Sequence, residues 1–427
     1  MSTYSADYEK ALEVGRPPNV KELFPNSKAL IVSGKYIDRA MRAKGNAMTI
    51  AANGRSQIII RGVLKAAQKA NSAVIIEIAR TEGGIDNYCG TTFWNMARQV
   101  DAVCNEMDIT IPVAIHADHY VLKAGEDLDA TKIEIDSIFD AGVTSIAIDA
   151  SHQPDDDNLL TNIEINSAIP EWAGLETEIG EIKGNQGLSS PDEALFLIQG
   201  LNAHGIFPDW IALNNGSTHG IEEGDEGIQV DLTSEVHNAI SKYKVSGAQH
   251  GTSGNNSDRL RKIAGETQTT KANVATALQM VSWGMKVNEF GNSIFDENGD
   301  LIKIEGEGLS ENLWKEMKAY ADENNIKGSN FKKINRPYEN RILAQSREIR
   351  ERMVDAVAKF AYDLLANVFN AEGTGDLLIQ EILQKNSYDP GALVGVIEPN
   401  NEWTEEKIRQ KASLITTDKG PEGDFSE

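Results

Sequence analysis

Five of the seven histidines in the chain stand at or just past the ends of short apolar runs. His116 and His119 close the run 111–116, His152 follows 145–149, His219 lies a short loop beyond 210–214, and His250 ends 245–250. If these runs are strands ending at one mouth, imidazoles distant in sequence meet there. Three neutral imidazoles from different strand ends suit a divalent metal with a fourth position open to water or substrate. A lone histidine is more often a strand cap or a carbonyl partner, but a set at one end weighs against that reading. Carboxylates join them: Asp118 inside His116-Ala117-Asp118-His119, Asp149 at the end of its run, and Glu176 and Glu178 two residues apart on one strand face. Buried carboxylates call for a nearby cation, either a metal or a Lys or Arg within the barrel. The segments 214–220 and 251–254 are glycine loops of the kind that offer backbone N–H groups to phosphate.

The elements that must position these groups follow a repeating pattern. Strands are expected at 47–52, 73–79, 111–116, 145–149, 174–179, 210–214, 245–250 and 285–289, with helix-period segments such as 57–70, 93–107, 191–204 and 232–242 between them. Eight strands alternating with helices predict a (β/α)8 TIM barrel, and no GxGxxG follows the first strand to favour a doubly wound sheet. The barrel domain is expected over 1–300, including an N-terminal helical lead-in. A helical extension over 301–399 then packs on the barrel or on a partner subunit, and its long helix is expected over 339–369. Residues 400–427 read as a polar, mobile tail.

Composition narrows the function. The chain of 427 residues has 41 Lys+Arg against 65 Asp+Glu, a net charge of −24, which disfavours polyanion and anionic-membrane partners. Two cysteines, Cys89 and Cys104, are too few for a disulfide framework and fit a reduced, cytoplasmic compartment. No apolar run has the length of a membrane helix, and the polar start does not read as a signal peptide.

Taken in order, the motifs resemble the class II, metal-dependent ketose-bisphosphate aldolases, typified by fructose-1,6-bisphosphate aldolase. They are AAN at 51–53, HADH at 116–119, IDASH at 148–152, LETEIG at 175–180, NGSTHG at 215–220, HGTSG at 250–254 and KVN at 286–288, with a fainter RPYENR at 336–341. The resemblance implies that His119, His219 and His250 hold zinc or another divalent metal, with room for a monovalent cation. It implies Asp118 as the acid/base at the C4 hydroxyl and Glu178 as a carboxylate that approaches the metal, with Asp149 orienting the site. Gly220, Gly251, Ser253 and Asn288 would hold the phosphate of the dihydroxyacetone phosphate half, and Asn53 its carbonyl–hydroxyl portion. Arg341 would grip the distal phosphate, from a neighbouring subunit of a homodimer or larger oligomer. The implied activity is reversible aldol cleavage of a phosphorylated sugar, fructose 1,6-bisphosphate foremost, with tagatose bisphosphate or another anionic ketose phosphate as alternatives.

Three departures stand out. The family usually follows KVN with a small acidic or Ala residue and then Thr, where this chain has Glu289-Phe290-Gly291-Asn292. A serine usual near the end of the second strand is Ala79, followed by Arg80, which is expected to supply the missing phosphate donors if it points into the mouth. The loop after the fifth strand lacks the paired acids expected for enediolate proton exchange, and Glu181 is the nearest candidate. Other classes compatible with the residues are a Schiff-base aldolase using Lys286, a barrel metallohydrolase, and a metal-binding barrel without aldolase activity.

Overall fold

A computed structural model describes residues 5–85, 87–181, 186–216, 227–252, 255–288, 291–297 and 299–420. Eight parallel strands close on themselves in chain order. They are β1 (Thr49–Asn53), β2 (Val74–Ala79), β3 (Val113–Val121), β4 (Ser145–Asp149), β5 (Gly174–Ile179), β6 (Trp210–Leu213), β7 (Ser246–Gln249) and β8 (Thr269–Val274). With helices following the strands and a helical C-terminal region, this is the expected (β/α)8 barrel. The connecting helices are amphipathic and capped. Helix Gln57–Ala70, for example, starts where Ser56 Oγ accepts from the Ile59 N–H and stops at Asn71, whose φ of 48° is left-handed. It buries an aliphatic face that includes Ile59, Ile60, Val63 and Leu64.

The eighth strand is not where the sequence pattern put it. β8 bonds to β7 and β1, whereas 285–303 forms isolated antiparallel bridges, Met285 with Lys303 and Val287 with Ser293. The reason is chemical. Thr49 and Ala51 of β1 register with Lys271 and Asn273 of β8, so this strand turns polar side chains inward and carries no apolar signature.

The N-terminal end of the barrel is closed by helix Gly34–Lys44. A Cβ on Gly34 would come within 2.5 Å of Ser145 Oγ, so only glycine permits this approach. Along the same helix Asp38 accepts from Thr270 Oγ1 at 2.6 Å and Arg42 donates to Ser246 Oγ at 2.7 Å. With that end plugged, chemistry is confined to the C-terminal mouth.

The expected long helix is two: Asn335–Leu343 and Arg347–Asp363, the second starting at the Ser346 cap. Residues 400–420 also depart from a mobile tail. Trp403 is buried and lies 5.6 Å from Phe196, and helix Glu405–Ala412 buries Ile408. Beyond it, Thr417 Oγ1 meets Ser190 Oγ at 2.7 Å, and Lys419 donates to Asp155 at 2.6 Å and to Glu193. A Cβ on Gly187 would strike the Lys419 carbonyl, so this final stretch lies directly on the segment after β5. Among the described residues no helix is long and apolar enough to cross a membrane.

Helix Arg347–Asp363 meets the barrel wall at Gly62, where an added Cβ would stand 2.5 Å from Val357 Cβ and 2.9 Å from the Val354 carbonyl oxygen. Gly62→Ala would gain about 1 kcal/mol of helix propensity but incur ~1–3 kcal/mol of overpacking against backbone that cannot yield. Overpacking wins, and urea denaturation should show a lower midpoint for the variant. A raised midpoint would mean that the two helices separate freely.

Candidate active site

The centre of the barrel is polar. Lys271 on β8 is fully buried, and its Nζ lies 2.8 Å from Glu176 on β5, 3.2 Å from Glu77 on β2, 3.2 Å from Asp118 and 3.2 Å from His116 Nε2, both on β3. One ammonium cannot ionise all three carboxyls equally. Burial, then the Asp118 charge, drive the Glu77 carboxyl well above its usual range. Burial also opposes ionisation of Asp118 and Glu176, but Lys271 outweighs it with help from neighbouring imidazoles, and both are held below the ordinary carboxylate range. His116 is kept neutral by burial and by Lys271, with Nδ1 at 2.7 Å from Ser145 Oγ.

Above this layer β3 changes its pattern. Ala117 pairs with Ile146 but Tyr120 pairs with Ile148, so β3 carries one extra residue. His119 takes it up with a φ of 40°, a left-handed conformation that costs a non-glycine residue roughly 1 kcal/mol. Ordinary alternation would send Asp118 and His119 to opposite faces; the bulge turns both into the mouth. There His119 Nδ1 lies 3.0 Å from Glu178 and 3.5 Å from Asp149, while its Nε2 meets His250 Nδ1 at 2.5 Å. The other nitrogen of His250 meets Glu176 at 2.8 Å.

Each imidazole therefore spends one nitrogen on a carboxylate and aims the other at a shared point. That is how carboxylates orient metal-ligating histidines. Asp118, His119 and His250 offer ligand atoms within 4.8 Å of one another, as do His119, Asp149 and Glu178, all buried. Burial opposes ionisation of Asp149, but His119 overrides it and brings its carboxyl down to about 2. Burial and the Asp149 charge push Glu178 up to about 7. Three ionised carboxylates, Asp118, Asp149 and Glu176, face one ammonium, and the excess negative charge with two converging imidazole nitrogens fits a divalent cation.

On the β1 side, Asn53 Nδ2 donates to Glu82 at 2.6 Å, and Glu82 is gripped by buried Arg55 and by the Tyr88 hydroxyl. This fixes the Asn53 amide, leaving its buried Oδ1 with no hydrogen bond among the described residues. Asn273 is similar: Nδ2 donates to Asp118 at 2.9 Å and Oδ1 has no partner among them. Two buried acceptors of this kind call for hydroxyl donors from a ligand. Past β4 and β5, His152 Nδ1 lies 2.5 Å from Glu181 Oε1.

The structure thus brings Asp118, His119, Asp149, Glu178 and His250 together. Gly251, the second residue past β7, has a φ of 58°. His219, Gly220 and Ser253 lie outside the described residues. Arg80 does not enter the mouth: it stacks on Tyr120 at 4.4 Å and pairs with Glu126 at 3.1 Å and Glu134 at 3.7 Å. Arg341 is exposed and bound to Glu316, apart from this cluster. Asn288 sits in a turn, receiving the Asn292 N–H on its Oδ1, and Lys286 lies in the same bridged segment. The strand-eight asparagine is Asn273. The run Lys271-Ala272-Asn273-Val274-Ala275-Thr276 carries the Ala-Thr pair that 286–288 lacks, and it is this run, not 286–288, that forms the eighth strand. Repeated K-x-N spacing was the signal. Sequence reasoning also missed Lys271, Glu77, Arg55 and Glu82, for which it had no cue.

Comparison with known proteins agrees with this geometry. A family model described as fructose-bisphosphate aldolase class-II matches residues 35–364. The chain is 30% identical over 255 residues to 6-phospho-5-dehydro-2-deoxy-D-gluconate aldolase of Bacillus subtilis, covering 58% of this chain and 78% of that one. It is 30% identical over 235 residues to fructose-bisphosphate aldolase of Staphylococcus epidermidis, covering 52% and 73%. The crystal structure of the YdjI aldolase from Escherichia coli K12 superposes with a TM-score of 0.54 at 18% identity, over 81% of this chain and 99% of that one, and shares its fold.

Removing the central ammonium should be severe. Lys271→Met leaves three buried carboxyls uncompensated and should cost roughly 3–5 kcal/mol in urea denaturation of the metal-free protein. Adding Glu176→Gln should recover part of that loss. Additive losses in the double variant would mean that the two groups are not coupled.

Proposed function

We propose, on the premise that this chain belongs to the class-II fructose-bisphosphate aldolase family, that it catalyses reversible aldol cleavage of a ketose phosphate to dihydroxyacetone phosphate and an aldehyde, with fructose 1,6-bisphosphate as the first substrate. The observation that carries the reading is the convergence of the His119 and His250 imidazoles beside Asp118. In this reading His119 and His250 would hold zinc, with His219, beyond β6 in the sequence, as the third ligand. When bound, the cation supplies Lewis-acid stabilisation of charge that develops on the carbonyl oxygen.

The protein's own groups do the rest. Asp118, kept ionised by Lys271, takes the proton from the C4 hydroxyl as the C3–C4 bond breaks. The electron pair of that bond stays on C3 and forms the enediolate, and C4 leaves as the aldehyde carbon. Asn273 holds Asp118 in place through its amide N–H, and its free oxygen, like that of Asn53, accepts from substrate hydroxyls. Glu178, 3.0 Å from His119 Nδ1, would be a further carboxylate able to hold the cation. Backbone N–H groups after β6 and β7, at Gly220, Gly251 and Ser253, hold the phosphate. Arg341 would reach a distal phosphate only across a subunit boundary of a homodimer or larger assembly.

A second reading is favoured by the pairing of Arg80 with Glu126 and Glu134, which removes it as a second phosphate donor, and by the phospho-dehydro-deoxygluconate aldolase relative. In that reading the substrate carries one phosphate and a carboxylate at the far end.

A coupled cleavage assay separates these. The zinc-loaded protein should cleave fructose 1,6-bisphosphate, lose activity with EDTA, and show no trapping by borohydride. Asp118→Asn should lower kcat about 10²–10⁴-fold with little change in KM. Cleavage of 6-phospho-5-dehydro-2-deoxygluconate alone would select the second reading, and no cleavage of any ketose phosphate would refute both.

A further inference from the structure

The mouth holds two amides whose direction is imposed by the carboxylates behind them. An amide offers a donor at one end and an acceptor at the other, so whatever binds one end decides what the other presents. Among the described residues, every group that meets the Glu82 carboxylate is a donor. They are the Asn53 amide at 2.6 Å, Nε and Nη2 of Arg55, the Tyr88 hydroxyl at 3.0 Å and the Ala79 N–H at 3.3 Å. A carboxylate only accepts, so Asn53 must turn Nδ2 to Glu82 and Oδ1 away from it, where Oδ1 is buried with no hydrogen bond among those residues. Asp118 does the same to Asn273. Ala51 of β1 registers with Asn273 of β8 and Asn53 lies two residues on, so both amides stand on the inner face of neighbouring strands.

We propose that the Glu82–Arg55 pair is a polarity lock on Asn53, which makes this side of the mouth accept a substrate hydroxyl and reject a ligand with no donor there. The proposal rests on the aldolase reading above and adds to it the group that sets the selection. Arg55 holds the lock shut. Its Nη1 donates to Gln279 Oε1 at 2.7 Å and to Thr276 Oγ1 at 3.3 Å, and its carbonyl receives Asn335 Nδ2 at 2.9 Å. Gln279 in turn donates to the Lys332 carbonyl at 3.1 Å. The buried guanidinium is thus enclosed by the helix after β8 and by the C-terminal extension, and it has no room to turn from Glu82. Burial opposes its charge, but Glu82 outweighs burial and keeps it ionised.

Glu82 and Arg55 are positioning residues, and both act through Asn53. Glu82→Gln puts an N–H donor where Asn53 now meets an oxygen, so the Asn53 amide turns its own oxygen to that donor and its N–H₂ to the ligand. Arg55→Met reaches the same end by another route. A buried carboxyl without its counter-charge takes up a proton, becomes a donor, and releases the amide to turn. Arg55→Lys keeps the charge and with it the lock.

The test measures by calorimetry how tightly the zinc-loaded protein binds dihydroxyacetone phosphate and acetol phosphate, which lacks its hydroxyl. The ratio of the two affinities is the readout, because a general loss of fit weakens both ligands together. The parent should prefer dihydroxyacetone phosphate. Glu82→Gln and Arg55→Met should each lower the ratio about tenfold, the worth of one buried acceptor paired or left unpaired, while Arg55→Lys should keep most of it. The parent's own NMR spectrum gives a second signature that needs no folded variant of the pair. The Asn53 side-chain amide, assigned by its absence in Asn53→Asp, should have protons shifted downfield and slow to exchange with water. An ordinary, fast-exchanging Asn53 amide in the parent would overturn the lock, as would a ratio unchanged in both Glu82→Gln and Arg55→Met, while cleavage by the parent leaves the aldolase reading standing. A parent that neither cleaves ketose phosphates nor binds dihydroxyacetone phosphate would overturn the aldolase reading, and the lock with it.

Discussion

The arrangement at the mouth depends on one buried ammonium. Lys271 lies where four strands of the barrel face one another, and its charge decides which carboxyls are ionised. Glu176 ionised by Lys271 orients His250, and Lys271 holds the Asp118 carboxylate ionised beside it. An apolar residue of similar volume would remove the desolvation penalty of the ammonium, yet it would strand acids that cannot reach water. The interior is thus a compromise in which stability is given up to hold two functional groups at fixed charge and angle.

The second constraint is the bulge on β3. A regular strand delivers every other side chain to the barrel interior, which would separate an acid from the histidine beside it. One extra residue and a left-handed backbone at His119 put the Asp118 carboxylate and the His119 imidazole on the same side within one peptide unit. The strain is local and small, roughly 1 kcal/mol, and the surrounding closed sheet easily holds it.

Much of this was legible in the sequence because it rests on period and placement. Alternating β-branched runs and amphipathic segments gave the barrel, and strand-end positions gave His119, His250 and Asp118. What escaped was what depends on inward polar side chains. β8 escapes the apolar pattern because Thr, Lys and Asn lining a barrel look like a loop, which puts Asn288 in the place that Asn273 occupies. Arg80 was misplaced for another reason: a charged residue at a strand end has two sides to choose from, and Tyr120 with Glu126 and Glu134 attracts it to the outer one. Nor does the net charge of −24 oppose an anionic ligand, since backbone amides and a cation act at contact range while distant surface acids are screened.

The path of residues 417–420 has a consequence for how the molecule meets a protease. Thr417, Lys419 and Gly420 rest on the segment that joins β5 to its helix, touching Ser190, Glu193 and Gly187. The contact joins positions 227 residues apart, so a single cut between helix Glu405–Ala412 and Thr417 would free the strap without breaking any barrel strand. Leu414, 76% exposed, offers a protease that cut, which would leave the barrel closed while its β5 side loses this support.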